Sequence, residues 1–328
     1  MADSSSVFAV PLDPSIDLSI CIVNLSSRDL LRGCLRSIYG QDQGAAVEVI
    51  VVDNCSADGS REMVRDEFPA ARLITLDFIQ GFAANNNVAI RQCHGRHVML
   101  LNNDTEVMPG ALRAHVSYLD AHPEVGGTGG RVHQPDGRVQ RGCARLLPRL
   151  ESELYDLLHL SARWPEHPRY GRAFFGGWDY SSVRRIELPL EANMALRREV
   201  IEQVGLLDER FEIVFGEGPD WLRRVKDAGW PVMFLPEADV LHYGGQSWGR
   251  IRKKALYHLR ENEYRYYRKH DGWGAAQAFR LMVLATQLVM LGVYVVSAPF
   301  KRRPLEYLRG GAAEAWIGLR WSIGLLPA

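Results

Sequence analysis

His97-Val98-Met99-Leu100-Leu101-Asn102-Asn103-Asp104-Thr105-Glu106 is the stretch from which the fold is read. Val98 to Leu101 is a short apolar run of strand length, and it stops abruptly at three polar side chains. Open α/β sheets take their ligands at the carboxyl ends of the strands. One carboxylate flanked by amides suits a hard divalent cation, Mg²⁺ or Mn²⁺, that draws its other ligands from water and a diphosphate. On this reading Asp104 is a metal ligand. Asn and Asp are also favoured in ordinary turns, so the flanking sequence has to decide between the two readings.

Towards the N-terminus, Leu18 to Val23, Val47 to Val52 and Arg72 to Leu76 are further strand-like runs. Leu30, Leu31, Cys34, Leu35 and Ile38 repeat at helical spacing after a cap at Ser26 or Ser27. The turn Cys55-Ser56-Ala57-Asp58-Gly59-Ser60 precedes a helix carrying Met63, Val64 and Phe68, and Gly81 opens another through Val88, Ala89 and Ile90. Strands alternating with helices predict an α/β fold, with parallel strands flanked by helices. Asn24, Asp53 and Asp104 then end three strands along one edge, which makes a crevice. A dinucleotide-binding domain would need Gly-x-Gly-x-x-Gly after the first strand, where this chain has Asn24-Leu25-Ser26-Ser27-Arg28-Asp29. The glycines at 126, 127, 129 and 130 come too late, and there is no Walker loop.

The 328 residues are 47% hydrophobic and 24% charged, enough for a large core. Formal net charge is +0, which gives no overall field for nucleic acid. Five irregularly spaced cysteines read as reduced thiols in the cytoplasm. Residues 1–16 read as a disordered lead-in without a signal-peptide pattern.

Val52-Asp53-Asn54-Cys55-Ser56-Ala57-Asp58-Gly59-Ser60, then Gly81-Phe82-Ala83-Ala84-Asn85-Asn86-Asn87, then Asn102-Asn103-Asp104 resemble, in order, three phrases of the inverting family 2 glycosyltransferases, in particular their rhamnosyltransferase-like branch. The resemblance spans roughly residues 17–250. It implies the GT-A fold, a Rossmann-like mixed sheet flanked by helices, with a nucleotide-sugar-binding half at 17–130 and an acceptor and catalytic half at 131–250. It implies a nucleoside-diphosphate sugar donor, dTDP-rhamnose among the candidates. Asp53 would lie at the nucleobase and Asp104 on the metal. Asn24, Asn54, Gly81, Phe82, Asn86, Asn102 and Asn103 would line the donor.

The later phrases are Glu191-Ala192-Asn193-Met194-Ala195-Leu196-Arg197-Arg198-Glu199, with Asp208-Glu209-Arg210-Phe211 following, and Gly216-Glu217-Gly218-Pro219-Asp220-Trp221. The resemblance implies acceptor contacts at Asn193 and Trp221. Inverting transfer needs a carboxylate to take the acceptor hydroxyl proton, usually the acid directly after Glu217. Here that position is Gly218. Either Glu217 or Asp220 is then the base, or the residue is lost and the chain is a nucleotide-sugar or glycan-binding module. Asp220 also reads as a helix N-cap. His242, in Leu241-His242-Tyr243-Gly244, matches a family position that ligates metal or touches diphosphate. Arg250, Arg252, Lys253 and Lys254 follow, readable as diphosphate partners or as a solvated face.

Residues 145–190 are rich in aromatics and read either as a mobile insertion on the acceptor side or as a loop packed on its own rings. Residues 251–328 read as a helical region containing the apolar stretch Leu281 to Phe300, followed by Lys301-Arg302-Arg303. That stretch is long enough to span a bilayer. It reads equally as a helix lying on the membrane, a buried core helix or a homodimer face. A glycan or lipid-linked acceptor in bacterial surface polysaccharide synthesis, met at the inner face of the cell membrane, fits this tail.

Overall fold

The structure is a computed structural model describing residues 7–211, 216–244, 248–300 and 304–325, without side-chain detail at 248–255 and 304–309. The elements run β1 (Leu18–Asn24), α1 (Arg28–Tyr39), β2 (Val47–Asp53), α2 (Ser60–Glu67), β3 (Arg72–Thr75), α3 (Phe82–Ile90), β4 (His97–Leu101), β5 (Thr105–Val107), α4 (Ala111–Ala121), β6 (Gly127–His133) and β7 (Ala144–Arg145). Next come α5 (Leu150–Leu157), α6 (Leu160–Arg163), β8 (Arg184–Ile186), β9 (Leu188–Pro189), β10 (Asn193–Arg197), α7 (Arg198–Val204), α8 (Glu217–Asp227), β11 (Val232–His242), α9 (Trp248–His270), α10 (Gly272–Ser297) and α11 (Pro304–Ser322).

The chain divides into two compact units. The first takes residues 1–147, 178–209 and 220–244, and the second takes 148–177, 210–219 and 245–328.

In the first unit the main sheet runs β3-β2-β1-β4-β10-β6-β11-β5, with β8 beside β11. Strands β3, β2, β1 and β4 are mutually parallel, as the alternation of strands and helices predicts. The apolar runs of β1, β2 and β4 are covered on both faces, with Leu18, Ile20 and Ile22 without exposure, while β3 at the sheet edge is only half-buried. Helix α1 buries Leu31, Cys34, Leu35 and Ile38, the residues singled out by their spacing.

Beyond β4 the sheet is mixed. β10 is antiparallel to both β4 and β6, and β11 is parallel to β6 but antiparallel to β5. Strand β11 runs on through Pro236 to His242, further than its sequence suggests, because the register shifts between Leu235 and Asp239. A bulge is where a strand can carry a proline that has no N–H to donate.

The glycines of β6 have a steric role. A Cβ on Gly130 would overlap Ala238 O and Asn193 Nδ2, and one on Gly129 would overlap the ring of Pro189. They let β6 run tightly between β10 and β11 and do not form a phosphate loop.

Capping of α1 also differs from expectation. Ser27 is the N-cap residue but makes no side-chain cap bond. Asp58 instead accepts the Arg28 amide at 2.8 Å through one oxygen and the Ser60 amide at 3.1 Å through the other. One carboxylate thus serves the first turns of both α1 and α2. Residues 7–16, expected as a disordered lead-in, are held by Ala9 N to Arg91 O (2.7 Å) and Asp13 N to His94 O (2.8 Å), with Phe8 buried.

In the second unit, Leu157, Phe211, Tyr267, Phe279, Val283 and Trp321 form a core shared by α5, α9, α10 and α11. Part of the aromatic-rich insertion belongs here and packs on its own rings, Tyr170 lying 5.0 Å from Tyr155 and 4.3 Å from His167. Trp178 belongs to the first unit, where it packs edge-on against Phe234 at 4.8 Å. Helix α10 and the turn after it, Gly272–Phe300, are long and apolar enough to cross a membrane, with a mean hydropathy of 2.0.

Gly130→Ala should lower stability by about 1–3 kcal/mol through overpacking, read as a urea-unfolding midpoint. Gly142→Ala, with nothing within 4 Å of the new methyl group, should stay within about 0.5 kcal/mol. His115 is buried, with Nδ1 2.7 Å from Thr128 Oγ1 and Nε2 3.0 Å from Asn193 Oδ1. Burial lowers its pKa to about 4. Between about pH 6.5 and 4 the unfolded chain therefore binds the proton that the folded chain refuses. The stabilising contribution is complete above 6.5 and is lost as pH falls through 4. The His115 ring, followed by ¹⁵N NMR, should still be neutral at pH 5.

Candidate functional site

The first unit gathers the ends of β1, β2 and β4 into one polar edge. Asn24 and Asp53 are register partners at the ends of β1 and β2. Asp53 is buried, and its Oδ1 accepts Arg61 Nε at 2.5 Å and the Ser56 amide at 3.0 Å. Asn24, with no exposure, directs Nδ2 to Asp53 Oδ2 (3.4 Å) and Ser56 Oγ (3.0 Å). Its Oδ1 accepts Asn103 Nδ2 at 2.7 Å. A continuous relay, Arg61–Asp53–Asn24–Asn103, therefore crosses three strand ends. Asp53 and the 102–104 tip share one edge, as their positions after successive strands predict.

Asn54 extends the edge towards the Gly81-Phe82 phrase. Its amide donates to Gln80 O at 3.0 Å, and its carbonyl accepts the Gln80 amide at 2.8 Å. This bond pair fixes the chain that enters α3, where Gly81 is the exposed N-cap residue and Phe82 is half-buried. Asn86, expected to line the donor, is buried and donates to Phe82 O one turn back at 3.0 Å, so its amide serves the helix. Asn87 is the long-range contact of that phrase. It donates to Leu207 O at 2.9 Å and accepts the Leu207 amide at 3.0 Å, which ties α3 to the chain after α7.

Strand β11 brings the last member in. Pairing of His242 with Thr105 and of Leu241 with Glu106 sets the end of β11 beside the 102–104 tip. His242 Nε2 lies 3.1 Å from Asp104 Oδ1 and 3.4 Å from Asn102 Nδ2. Its Nδ1 lies 3.0 Å from Gln140 Oε1. When Nδ1–H donates to Gln140, a neutral ring turns its Nε2 lone pair onto a carboxylate oxygen, and two acceptors repel. A cation held by Asp104 and His242 together would remove the conflict. Asp104, with water and diphosphate oxygens, would supply the oxygen ligands that Mg²⁺ prefers, and the His242 imidazole would add a nitrogen of the kind that softer divalent ions accept more readily. Among the described residues no cluster of three or more His, Cys, Asp or Glu side chains could hold a metal unaided.

Four further contacts brace the tip. Thr105 Oγ1 donates to Asn102 O at 2.7 Å, and the Cys34 thiol, pushed up to about 12 by burial, stays a neutral donor 3.7 Å from the same carbonyl. Tyr243 N donates to Asp104 O at 2.9 Å, and its hydroxyl donates to Glu106 at 2.8 Å. Arg61, Gln140, Ser56 and Tyr243 went unnoticed in the sequence. Arg61 and Ser56 lie within or directly after a noted phrase but carry no spacing signal of their own, and Gln140 lies in a motif-free connection.

Three assignments change. Asn193, expected at the acceptor, is a core residue of β10, donating to Ala238 O at 2.8 Å and to Arg131 O at 3.2 Å while facing His115. Trp221, also expected there, is 1% exposed and donates to Gly205 O at 2.8 Å. Asp220 is neither an N-cap nor available as a base. It is fully buried in α8 and paired with Arg224 at 3.0 Å and 3.1 Å. Arg224 in turn clasps the carbonyls of Val204 and Leu206. Glu217, in the second unit, is the first residue of α8 and is buried. Gly218 and Pro219 fall in the first helical turn, where a proline removes no helical hydrogen bond. Residues 250–254 carry the basic run, whose side chains lie outside the described residues.

Known proteins resemble this chain over much of its length. A model of glycosyl transferase family 2 matches residues 19–177. The N-acetylglucosaminyl-diphospho-decaprenol L-rhamnosyltransferase of Mycobacterium tuberculosis is 26% identical over 242 residues, covering 70% of this chain and 78% of its own length. The O-antigen biosynthesis protein RfbC of Myxococcus xanthus is 29% identical, covering 72% of this chain and 18% of its own. Among solved structures, the mannosyltransferase PcManGT from Pyrobaculum calidifontis, in complex with GDP-Man and Mn²⁺, superposes with a TM-score of 0.55 at 17% identity, covering 96% of this chain and 88% of that one. Over residues 19–177 the chain is thus similar to glycosyl transferase family 2, and as a whole it has the GT-A fold and resembles the mycobacterial rhamnosyltransferase.

Proposed function

We propose that the chain transfers a sugar, with rhamnose the first candidate, from a nucleoside diphosphate to a lipid-linked or glycan acceptor. The transfer is metal-dependent and inverting, and it serves bacterial surface polysaccharide synthesis at the inner face of the cell membrane. The observation carrying this reading is the Asp104–His242 pair on the same edge as the Arg61–Asp53–Asn24–Asn103 relay. The named relatives support the sugar and the acceptor class: one is a rhamnosyltransferase acting on a diphospho-decaprenol, another an O-antigen biosynthesis protein. The mannosyltransferase, solved with GDP-Man and Mn²⁺, supports the nucleotide donor and the cation.

In this reading Asp53, held in one rotamer by Arg61 and the Ser56 amide, offers an acceptor to the nucleobase. Asp104 and His242 would hold a divalent cation, which would supply positive charge to the leaving diphosphate. Glu217 takes the acceptor hydroxyl proton as that oxygen bonds to the anomeric carbon and the bond from that carbon to the diphosphate oxygen breaks. Glu217 is preferred to Asp220 because Asp220 is already neutralised by Arg224. A second reading, a nucleotide-sugar or glycan-binding module without transfer, rests on Gly218 standing where the family keeps an acid.

Purified protein incubated with a panel of nucleoside-diphosphate sugars, Mn²⁺ and acceptor should release nucleoside diphosphate. Asp104→Ala should cut this at least 100-fold with an unchanged melting curve, and full activity in that variant rejects the metal role. Glu217→Gln should lower kcat by 10²–10⁴-fold, the usual span of general-base catalysis, with little change in KM for the donor. Donor binding without release, in the wild type and across the whole panel, favours the binding module.

A further inference from the structure

Helix α10 is apolar on two faces, one packed inside the second unit and one exposed. Phe279, Val283, Met290 and Tyr294 are buried within the second unit. Leu281, Leu288, Val289, Val293, Val295 and Val296 are 46–73% exposed. At 100° per residue the exposed positions fill an arc of roughly 160°. The outward side chains from 281 to 296 are all apolar. A continuous apolar surface of this kind is an interaction site, not ordinary exposure.

We infer that this outward face of α10 lies in the headgroup region of an anionic membrane, parallel to the surface and not across the bilayer. The inference rests on the reading of a lipid-linked acceptor and names the surface by which the enzyme reaches it.

Orientation follows from what the inner face holds. Phe279 packs 5.2 Å from Tyr267 of α9 and 5.9 Å from Trp321 of α11. Gln277 donates to Tyr264 OH at 2.8 Å, and Arg280 to Ser322 O at 2.7 Å. Helix α9 carries Arg260 paired with Glu263 at 2.6 Å, and Glu261 accepting Trp321 Nε1 at 3.0 Å. A transmembrane α10 would drag these charges to hydrocarbon depth, which bilayers penalise heavily. A helix in the interface plane buries only its apolar side and leaves α9 above.

The choice of a membrane rests on two end features. Trp273, 64% exposed, begins the helix, where amphipathic rings prefer the headgroup level. The sequence Lys301-Arg302-Arg303 follows Phe300 directly and complements anionic lipid. A second copy of the chain would meet a helix along a narrower seam than this arc.

Flotation of the full chain with phosphatidylcholine vesicles containing 30% phosphatidylglycerol tests the inference. Wild type should float, should float at least tenfold less with phosphatidylcholine alone, and should be released by alkaline carbonate. Leu288→Glu/Val296→Glu should float at least tenfold less while keeping its melting curve and its release of nucleoside diphosphate in solution. Wild type left in the soluble fraction, equal flotation of the double variant, or resistance to carbonate overturns the proposal. So does a dimer in sedimentation velocity that the double variant converts to monomer. Nucleoside-diphosphate release is read separately, so failure of the catalytic reading and failure of membrane docking give different results.

Discussion

The Asn24 amide is the constraint on which the polar edge of the sheet depends. It is fully buried, and each of its polar atoms is committed: the nitrogen to Asp53 and Ser56, the oxygen to Asn103. Rotating the amide by half a turn would set nitrogen against the Asn103 nitrogen and oxygen against the Asp53 carboxylate. Only one orientation satisfies all the partners. The ends of β1, β2 and β4 are therefore locked together before any ligand arrives, and a preformed site spends less binding energy on ordering itself.

The mixed half of the sheet completes what the parallel half begins. Because β10 runs antiparallel between β4 and β6, the chain returns along β11 and ends beside β5, which delivers His242 to Asp104. That path needs β6 to pass close to its neighbours, and the bare backbone of Gly129 and Gly130 permits it. Gln140, 3.0 Å from Nδ1, holds the His242 ring with its other nitrogen towards the carboxylate.

Much of this was legible in the sequence wherever the signal was local. The apolar runs ending at Asn24, Asp53 and Asp104 gave the parallel strands and their shared edge, because strand length and burial on both faces are written in consecutive residues. The side chains that finish the site were not legible. Arg61 and Gln140 act through contacts set by tertiary packing, and neither stands at a spacing that announces a partner. Asn193 and Trp221 were misread for the converse reason. A polar or aromatic residue inside a recognisable phrase looks functional, yet here the phrase marks how β10 and α8 are seated. The continuation of β11 past Pro236 was hidden because a bulge leaves no trace in periodicity.

The clasp between Asp220 and Arg224 joins α8 to the end of α7. Arg224 grips the carbonyls that close α7, and Asp220 holds Arg224 from one turn away. Losing either partner would leave a buried charge uncompensated and loosen both elements at once, so the end of α7 and the body of α8 behave as one welded piece.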